Sequence, residues 1–148
     1  NFILNLHEIV VKNTLKPHLN NQIGKYRKVQ VYIRGAKFVP PKPNQIPIEI
    51  KSLLLWYSKS KQKLHPLILA AYFHIAFESI HPFVDGNGRV GRLLLNFILH
   101  KNKYPMINIP NARKNIYYKA LEEAQIKNNL RYFIEFLIEL LRQEKIRY

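Results

Sequence analysis

The chain has no cysteine. That excludes a disulfide scaffold, a thiolate-ligated zinc or iron–sulfur centre and a thiol nucleophile, and fits the reducing cytoplasm. Acidic residues are scarce: 9 Asp and Glu stand against 24 Lys and Arg, a net charge of +15 over 148 residues, and aspartate occurs once, at Asp85. Glycine is also sparse, yet three of the five glycines, Gly86, Gly88 and Gly91, crowd into six residues. No apolar run approaches the roughly 18 residues of a membrane span; the longest, Leu67 to Phe77, is interrupted by His74. No secretory signal precedes it. An amphipathic pattern is already running at Asn1, so the chain is expected to be a piece of a longer one.

The basic excess invites a nucleic-acid role, because Lys and Arg that neutralise phosphates dominate non-specific affinity. The cations are scattered instead, as Lys25, Arg27 and Lys28, then Lys59, Lys61 and Lys63, then Lys101 and Lys103, with no recognition-helix or RNA-binding pattern. A compositional bias explains them more simply, and a basic nucleic-acid or scaffold module is kept only as the alternative from another class.

With 47% hydrophobic residues the chain has the makings of one globular domain, which at this length buries about 68–70% of its unfolded surface. Phe2, Leu6, Ile9 and Val10 recur at helical spacing and predict an N-terminal helix that stops before Pro17. Val29, Val31 and Ile33 alternate with polar neighbours around Gly35, predicting a small β-hairpin flap over about residues 29–43, closed by Pro40, Pro41 and Pro43. Helices follow from Pro47, from Pro66 to Ile80, from Val90 to Lys101, from Lys114 to Lys127 and from Leu130 onward. The segment from Leu67 to Ile80 is apolar on nearly every side and reads as a buried central helix. Its polar exceptions, His74 and Glu78, are expected to form a satisfied core pair. The fold class is therefore all-α, a helical bundle with one hairpin.

Residues 81–92 read His-Pro-Phe-Val-Asp-Gly-Asn-Gly-Arg-Val-Gly-Arg and join two apolar helices. The string formally contains GxGxxG, but it follows a helix where a dinucleotide fold needs a strand. Glycines that accept positive φ let successive N–H groups converge on an anion, and a helix starting there adds its dipole. Arg89 and Arg92 stand three apart, suited to hold a polyphosphate with two guanidinium forks. Asp85 offers the hard oxygen that Mg²⁺ prefers, in a site that takes its other ligands from phosphates. His81 titrates near neutrality and suits a general base.

With these residues in view, the chain resembles the Fic (filamentation induced by cAMP) family, whose signature is H-x-F-x-[D/E]-G-N-G-R-x-x-R. His81, Phe83, Asp85, Gly86, Asn87, Gly88, Arg89 and Arg92 fill every specified position. Gly24, Tyr26 and Arg27, Val31 with Gly35, Pro40-Pro41, His65-Pro66 and Tyr117-Tyr118 extend the likeness over about residues 6–140. The resemblance implies a single catalytic domain that moves AMP from ATP to a Ser, Thr or Tyr hydroxyl of a target protein and releases pyrophosphate. By position, His81 would be the base, Asp85 the Mg²⁺ ligand and Phe83 the residue that sets the loop. Gly86, Asn87 and Gly88 would hold the α-phosphate region, and Arg89 and Arg92 the β- and γ-phosphates. Tyr117 and Tyr118 would lie near the adenine, one of them as a core residue. The flap, Ile33, Arg34, Gly35, Ala36, Lys37 and Phe38, would pair with an extended target segment by strand addition.

Many relatives carry an inhibitory helix of the form [S/T]-x-x-x-E-[G/N], and no such string occurs in this sequence. The regulator is thus expected in an inhibitory helix elsewhere, an antitoxin-like partner or a homodimer. Without that glutamate, the alternative activity of removing AMP is disfavoured. Gly88 stands where phosphate-transferring relatives carry lysine, which favours nucleotidyl transfer. Gln125 replaces an asparagine that some relatives place near the base.

Overall fold

The computed structural model describes residues 1–147, with side chains through Glu144. Six α-helices carry the described residues: α1 (Phe2–Val11), α2 (Ile46–Ser60), α3 (Pro66–Ile80), α4 (Asn87–Lys101), α5 (Lys114–Lys127) and α6 (Arg131–Arg147). Short 3₁₀ turns occupy Pro17–Gln22, Pro43–Gln45 and Asn111–Arg113. None of the described helices is long and apolar enough to cross a membrane.

The central helix is α3, as its composition predicts. His65 caps it by accepting the Leu67 N–H on Nδ1 at 3.2 Å, and Pro66 occupies the first turn, where no donor is needed. Ten of its fifteen residues are buried, and it packs on α2, α4, α5 and α6. Phe77, Leu95, Leu99, Phe133 and Leu137 are fully enclosed around it, each contributing about 1.5–3 kcal/mol through burial.

The N-terminal helix is present as predicted, with Ile3, His7 and Val11 as its buried stripe, at spacings of four, and Phe2 and Ile9 exposed. The hairpin expectation needs correction. The β-hairpin is absent: no strand occurs among the described residues, and 29–42 form an irregular loop tightened by a turn in which the Ala36 N–H donates to the Ile33 carbonyl at 3.1 Å. Pro40 and Pro41 remove two ladder donors. Side chains hold the two legs instead. Gln30 Nε2 donates to the Pro40 carbonyl at 3.0 Å, and Arg27 donates to the carbonyls of Val29 and Pro41 at 2.9 and 2.7 Å.

The expected His74–Glu78 pair divides. His74 Nδ1 donates to the Gly91 carbonyl at 2.9 Å, which leaves Nε2 to accept the Tyr117 hydroxyl proton at 2.8 Å. A buried histidine thereby ties α3 to α4 and α5. Glu78 is also buried, but its Oε1 has no hydrogen-bond partner and lies against Gly91, where an added methyl would run into it.

These two groups oppose one another in pH. Burial raises Glu78 from 4.5 to about 7, against a lowering influence from Arg92. Its contribution to stability is therefore whole below pH 4.5 and disappears as pH climbs to about 7, roughly 3 kcal/mol in all. Burial lowers His74 from 6.5 to about 4, so its contribution is whole above pH 6.5 and disappears on acidification. Glu78→Gln removes one slope. Urea midpoints of the variant are expected to gain steadily on the wild type between pH 4.5 and 7; a difference that stays level across that range would refute the assignment.

Candidate active site

The site begins where α3 must stop. Pro82 has no N–H to continue the helix, and His81 turns left-handed (φ 49°, ψ 60°) as the C-cap, its own N–H still bonded to the Phe77 carbonyl at 3.0 Å. The turn aims the imidazole at a cavity. Its Nδ1 is buried without a hydrogen-bond partner of good geometry, and the residue lines the cavity. Burial lowers the His81 pKa, the nearby Glu78 carbonyl offsets part of that shift, and the Arg27 cation adds to it.

Beyond His81 the chain dives inward. Phe83 is fully buried and its ring stacks on His7 of α1 at 3.8 Å and 9°. His7 Nδ1 accepts the Gly24 N–H at 3.0 Å, so its proton sits on Nε2 and is donated to the Asp85 carbonyl at 2.9 Å. Asn87 completes the staple: its Oδ1 accepts the Phe83 N–H at 2.9 Å and its Nδ2 donates to the Phe83 carbonyl at 2.8 Å. The carboxamide of Asn87, expected to face a phosphate, is thus turned into the loop, and the part of Asn87 left for a ligand is its main chain. Gly86 has φ +89° and lies so close to α1 that a methyl there would stand 2.6 Å from Val11 Cγ1, a position closed to any larger residue.

The N-terminus of α4 has no side-chain cap. The first bond of the helix runs from the Val90 N–H to the Gly86 carbonyl at 3.0 Å, so the N–H groups of Asn87, Gly88 and Arg89 precede the ladder and face outward with the positive end of the dipole. Asp85 Oδ1 accepts the Gly86 N–H at 2.6 Å and lies 3.6 Å from the Arg89 guanidinium. Both contacts fall on Oδ1, leaving Oδ2 of this half-exposed carboxylate for outward ligands. No cluster of three potential metal-ligating side chains occurs among the described residues. A single free carboxylate oxygen at an anion-binding turn fits a Mg²⁺ ion that draws its remaining ligands from phosphate and water.

The two arginines part company. Arg89 also donates to the Thr14 hydroxyl, on the α1 side. Arg92 folds back over Gly88, its Nη1 only 3.0 Å from where a Cβ would sit, so any side chain at residue 88 would push it away.

The cavity, about 610 Å³, collects much of what the sequence singled out. Ile33, Arg34, Gly35 and Ala36 of the flap, His81, Gly88, Arg92, Tyr117 and Tyr118 all line it. Asp85, Gly86, Asn87 and Arg89 border the same turn but lie outside its wall, and Phe38 faces a separate groove beside Trp56 and Tyr72; Lys37 lines neither. Tyr117 is buried and Tyr118 exposed, so the first is the core residue of the pair. Gln125 is in the wall and donates to the Ser79 hydroxyl at 3.2 Å. Sequence reasoning missed His7, which carries no motif, although its spacing of four from Ile3 and Val11 marks a buried stripe. It placed Glu78 in the core, where it is buried, but did not see that the residue also lines the cavity.

Comparison with known proteins agrees with this geometry. The Fic/DOC family model matches residues 1–99. "Protein adenylyltransferase Fic" of Drosophila persimilis is 35% identical over 140 residues, covering 89% of this chain and 27% of that protein, and the Drosophila yakuba protein of the same name is 38% identical over 117 residues, covering 78% and 23%. The chain therefore spans about a quarter of the length of these relatives. Residues 134–508 of Fic-1 from C. elegans superpose with a TM-score of 0.86 at 30% identity, covering 99% of this chain and 41% of that one. A Fic domain protein from Bacteroides thetaiotaomicron superposes at 0.80 with 31% identity, covering 95% and 58%. Motif, turn and neighbours agree, and the chain belongs to the Fic/DOC family.

Proposed function

We propose that this domain transfers AMP from ATP to a Ser, Thr or Tyr hydroxyl of a target protein, acting in the cytoplasm. The observation that carries the reading is one cavity wall shared by the partly buried imidazole of His81, Gly88 in the first turn of the uncapped α4 and the Arg92 guanidinium held over Gly88. Relatives named adenylyltransferases support it.

The target hydroxyl enters beside His81, and Nε2 accepts its proton as the oxygen bonds to the α-phosphorus. The bond from that phosphorus to the bridging oxygen breaks, and pyrophosphate leaves with the electron pair. The N–H groups at the start of α4 take up phosphate charge, and Arg92 binds the outer phosphates, where its fork matches two oxygens. Arg89, set by Asp85 and Thr14, holds the other side of the turn. Mg²⁺ held by Asp85 would neutralise the developing charge on the leaving group. Tyr117 and Tyr118 form the floor for the adenine. The flap, Ile33 to Phe38, has no internal ladder, so apart from the Ala36 N–H and the Ile33 carbonyl, which bond to each other, its main-chain groups are open to an extended target segment. A regulatory helix, antitoxin-like partner or second copy supplies the inhibition that this sequence lacks.

Intact-mass spectrometry after incubation with ATP and Mg²⁺ tests the reaction. A gain of one AMP unit is expected, and His81→Ala should slow it about 10²–10⁴-fold; transfer at the wild-type rate in that variant would remove His81 from the chemistry. Because His81 is driven below its ordinary value of 6.5, the acid limb of the rate profile should lie below pH 6.5, and a limb above it would contradict the buried base. Arg92→Ala should raise the KM for ATP about tenfold or more while changing the urea midpoint by no more than about 1 kcal/mol equivalent. An unfolded variant would instead make Arg92 a structural residue.

A further inference from the structure

Arg27 is 1% exposed, and no carboxylate lies among its partners. Its cation is solvated by main-chain oxygens alone. Nε donates to the His81 carbonyl at 2.8 Å, and Nη2 reaches the Ile80 carbonyl at 3.4 Å and the Pro41 carbonyl at 2.7 Å. Nη1 donates to the Val29 carbonyl at 2.9 Å, and the Arg27 N–H donates to the Pro82 carbonyl at 2.9 Å. These acceptors belong to two structures. Ile80, His81 and Pro82 form the left-handed end of α3, where the helix dipole is negative and welcomes a cation. Val29 and Pro41 are the two legs of the flap, which no strand ladder joins.

We infer that Arg27 is a positioning residue that sets the distance between the flap and the catalytic base, so that a target segment laid along the flap presents its hydroxyl to His81. The inference rests on the AMP-transfer reading and deepens it. One planar fork fixes both parties: shifting the flap legs strains the bonds to Val29 and Pro41, and rotating the His81 turn strains the bond to its carbonyl. Lysine cannot reproduce this, because an ammonium has no rigid fork to span four carbonyls. Gln30 joins the legs to each other but touches no part of the turn. Arg27 bonds the main chain of both.

Two variants separate the fork from the charge. Arg27→Lys keeps the cation and loses the fork; Arg27→Gln loses both. In Arg27→Lys, the hydrogen-bonded amides of residue 27 and of Ala36, which donate to the Pro82 and Ile33 carbonyls, should exchange with solvent about tenfold faster or more, and AMP self-transfer should fall about tenfold or more, with the Kd of α,β-methylene-ATP within about twofold of wild type. The His81 imidazole, followed by NMR, should titrate close to its wild-type position in Arg27→Lys. In Arg27→Gln it should move up toward its ordinary value, since a nearby cation has gone while Glu78, Arg92, Lys119 and Glu122 in the cavity wall are unchanged. Flap exchange and transfer both within twofold of wild type in Arg27→Lys would overturn the inference. So would an unmoved His81 in Arg27→Gln, an equal loss of nucleotide affinity and transfer, or loss of cooperative unfolding in both variants. If the wild-type chain transfers no AMP, the functional reading fails, and the exchange and titration readouts still decide the role of Arg27.

Discussion

The left-handed turn at His81 constrains everything after it. A residue with a Cβ gives up about 1–2 kcal/mol in that conformation, and α3 has no glycine to relieve it. Hydrogen bonds between the charged Arg27 group and the carbonyls of Ile80 and His81 offset that loss, since bonds to a charged donor contribute about 1.5–3 kcal/mol each. Were His81 right-handed, the chain would run on along the α3 axis and Phe83 could not turn beneath His7. The same reversal aims the imidazole at the cavity and starts α4 with three free N–H groups. The placement of the imidazole and the uncapped start of α4 are therefore consequences of one backbone choice.

Three buried polar side chains near this turn are satisfied in different ways, and the differences follow their tasks. His74 is neutral, with both ring nitrogens engaged between helices, and it rigidifies. Arg27 remains charged without a counter-ion and is tolerated because several carbonyl dipoles surround it, where an isolated ion would suffer a desolvation penalty of several kcal/mol. Glu78 is the incomplete one: Oε1 is unpartnered and Arg92 is close enough to pull its pKa down but not to form an ion pair. Close-packed interiors rarely leave a carboxyl in that condition away from a ligand site. Gly91 makes room for it, so the last glycine of the chain serves packing, while Gly86 serves backbone conformation and Gly88 serves clearance for Arg92.

Much of the bundle was legible because its signal is local. Lys114 to Lys127 reads as a helix from end to end and is one, and the all-apolar α3 announces its own burial. Family membership was legible too, since a histidine, a carboxylate, glycines and arginines in the order of 81–92 make a specific signature. What escaped depends on distant partners. Alternation at Val29, Val31 and Ile33 suggests strands, but whether two legs pair depends on donors, and Pro40 and Pro41 supply none. The buried stripe of α1 was hidden by His7, whose two hydrogen-bond partners, Gly24 and Asp85, are 17 and 78 residues away. The inward turn of Asn87 is equally invisible, because the same carboxamide could face a phosphate or a main chain and only the fold decides.

The basic composition takes on meaning only beside the cavity. Net charge of +15 gives the surface a positive potential that concentrates polyanions nearby, yet such a field does not distinguish ATP from a nucleic acid. Shape does. A duplex is held by cations spread along an open face, whereas here Arg92 and Gly88 of the first α4 turn meet in a cavity of about 610 Å³ whose wall also includes the flap residues Ile33 to Ala36 and Tyr117 and Tyr118. That volume lies in the range of small-ligand sites, and its wall combines the cations Arg34, Arg92 and Lys119 with the aromatic surface of Tyr117 and Tyr118. A compact molecule that carries both phosphates and a flat base finds partners for each in such a wall. The scattered lysines then raise the encounter rate, and the enclosed geometry selects what is retained.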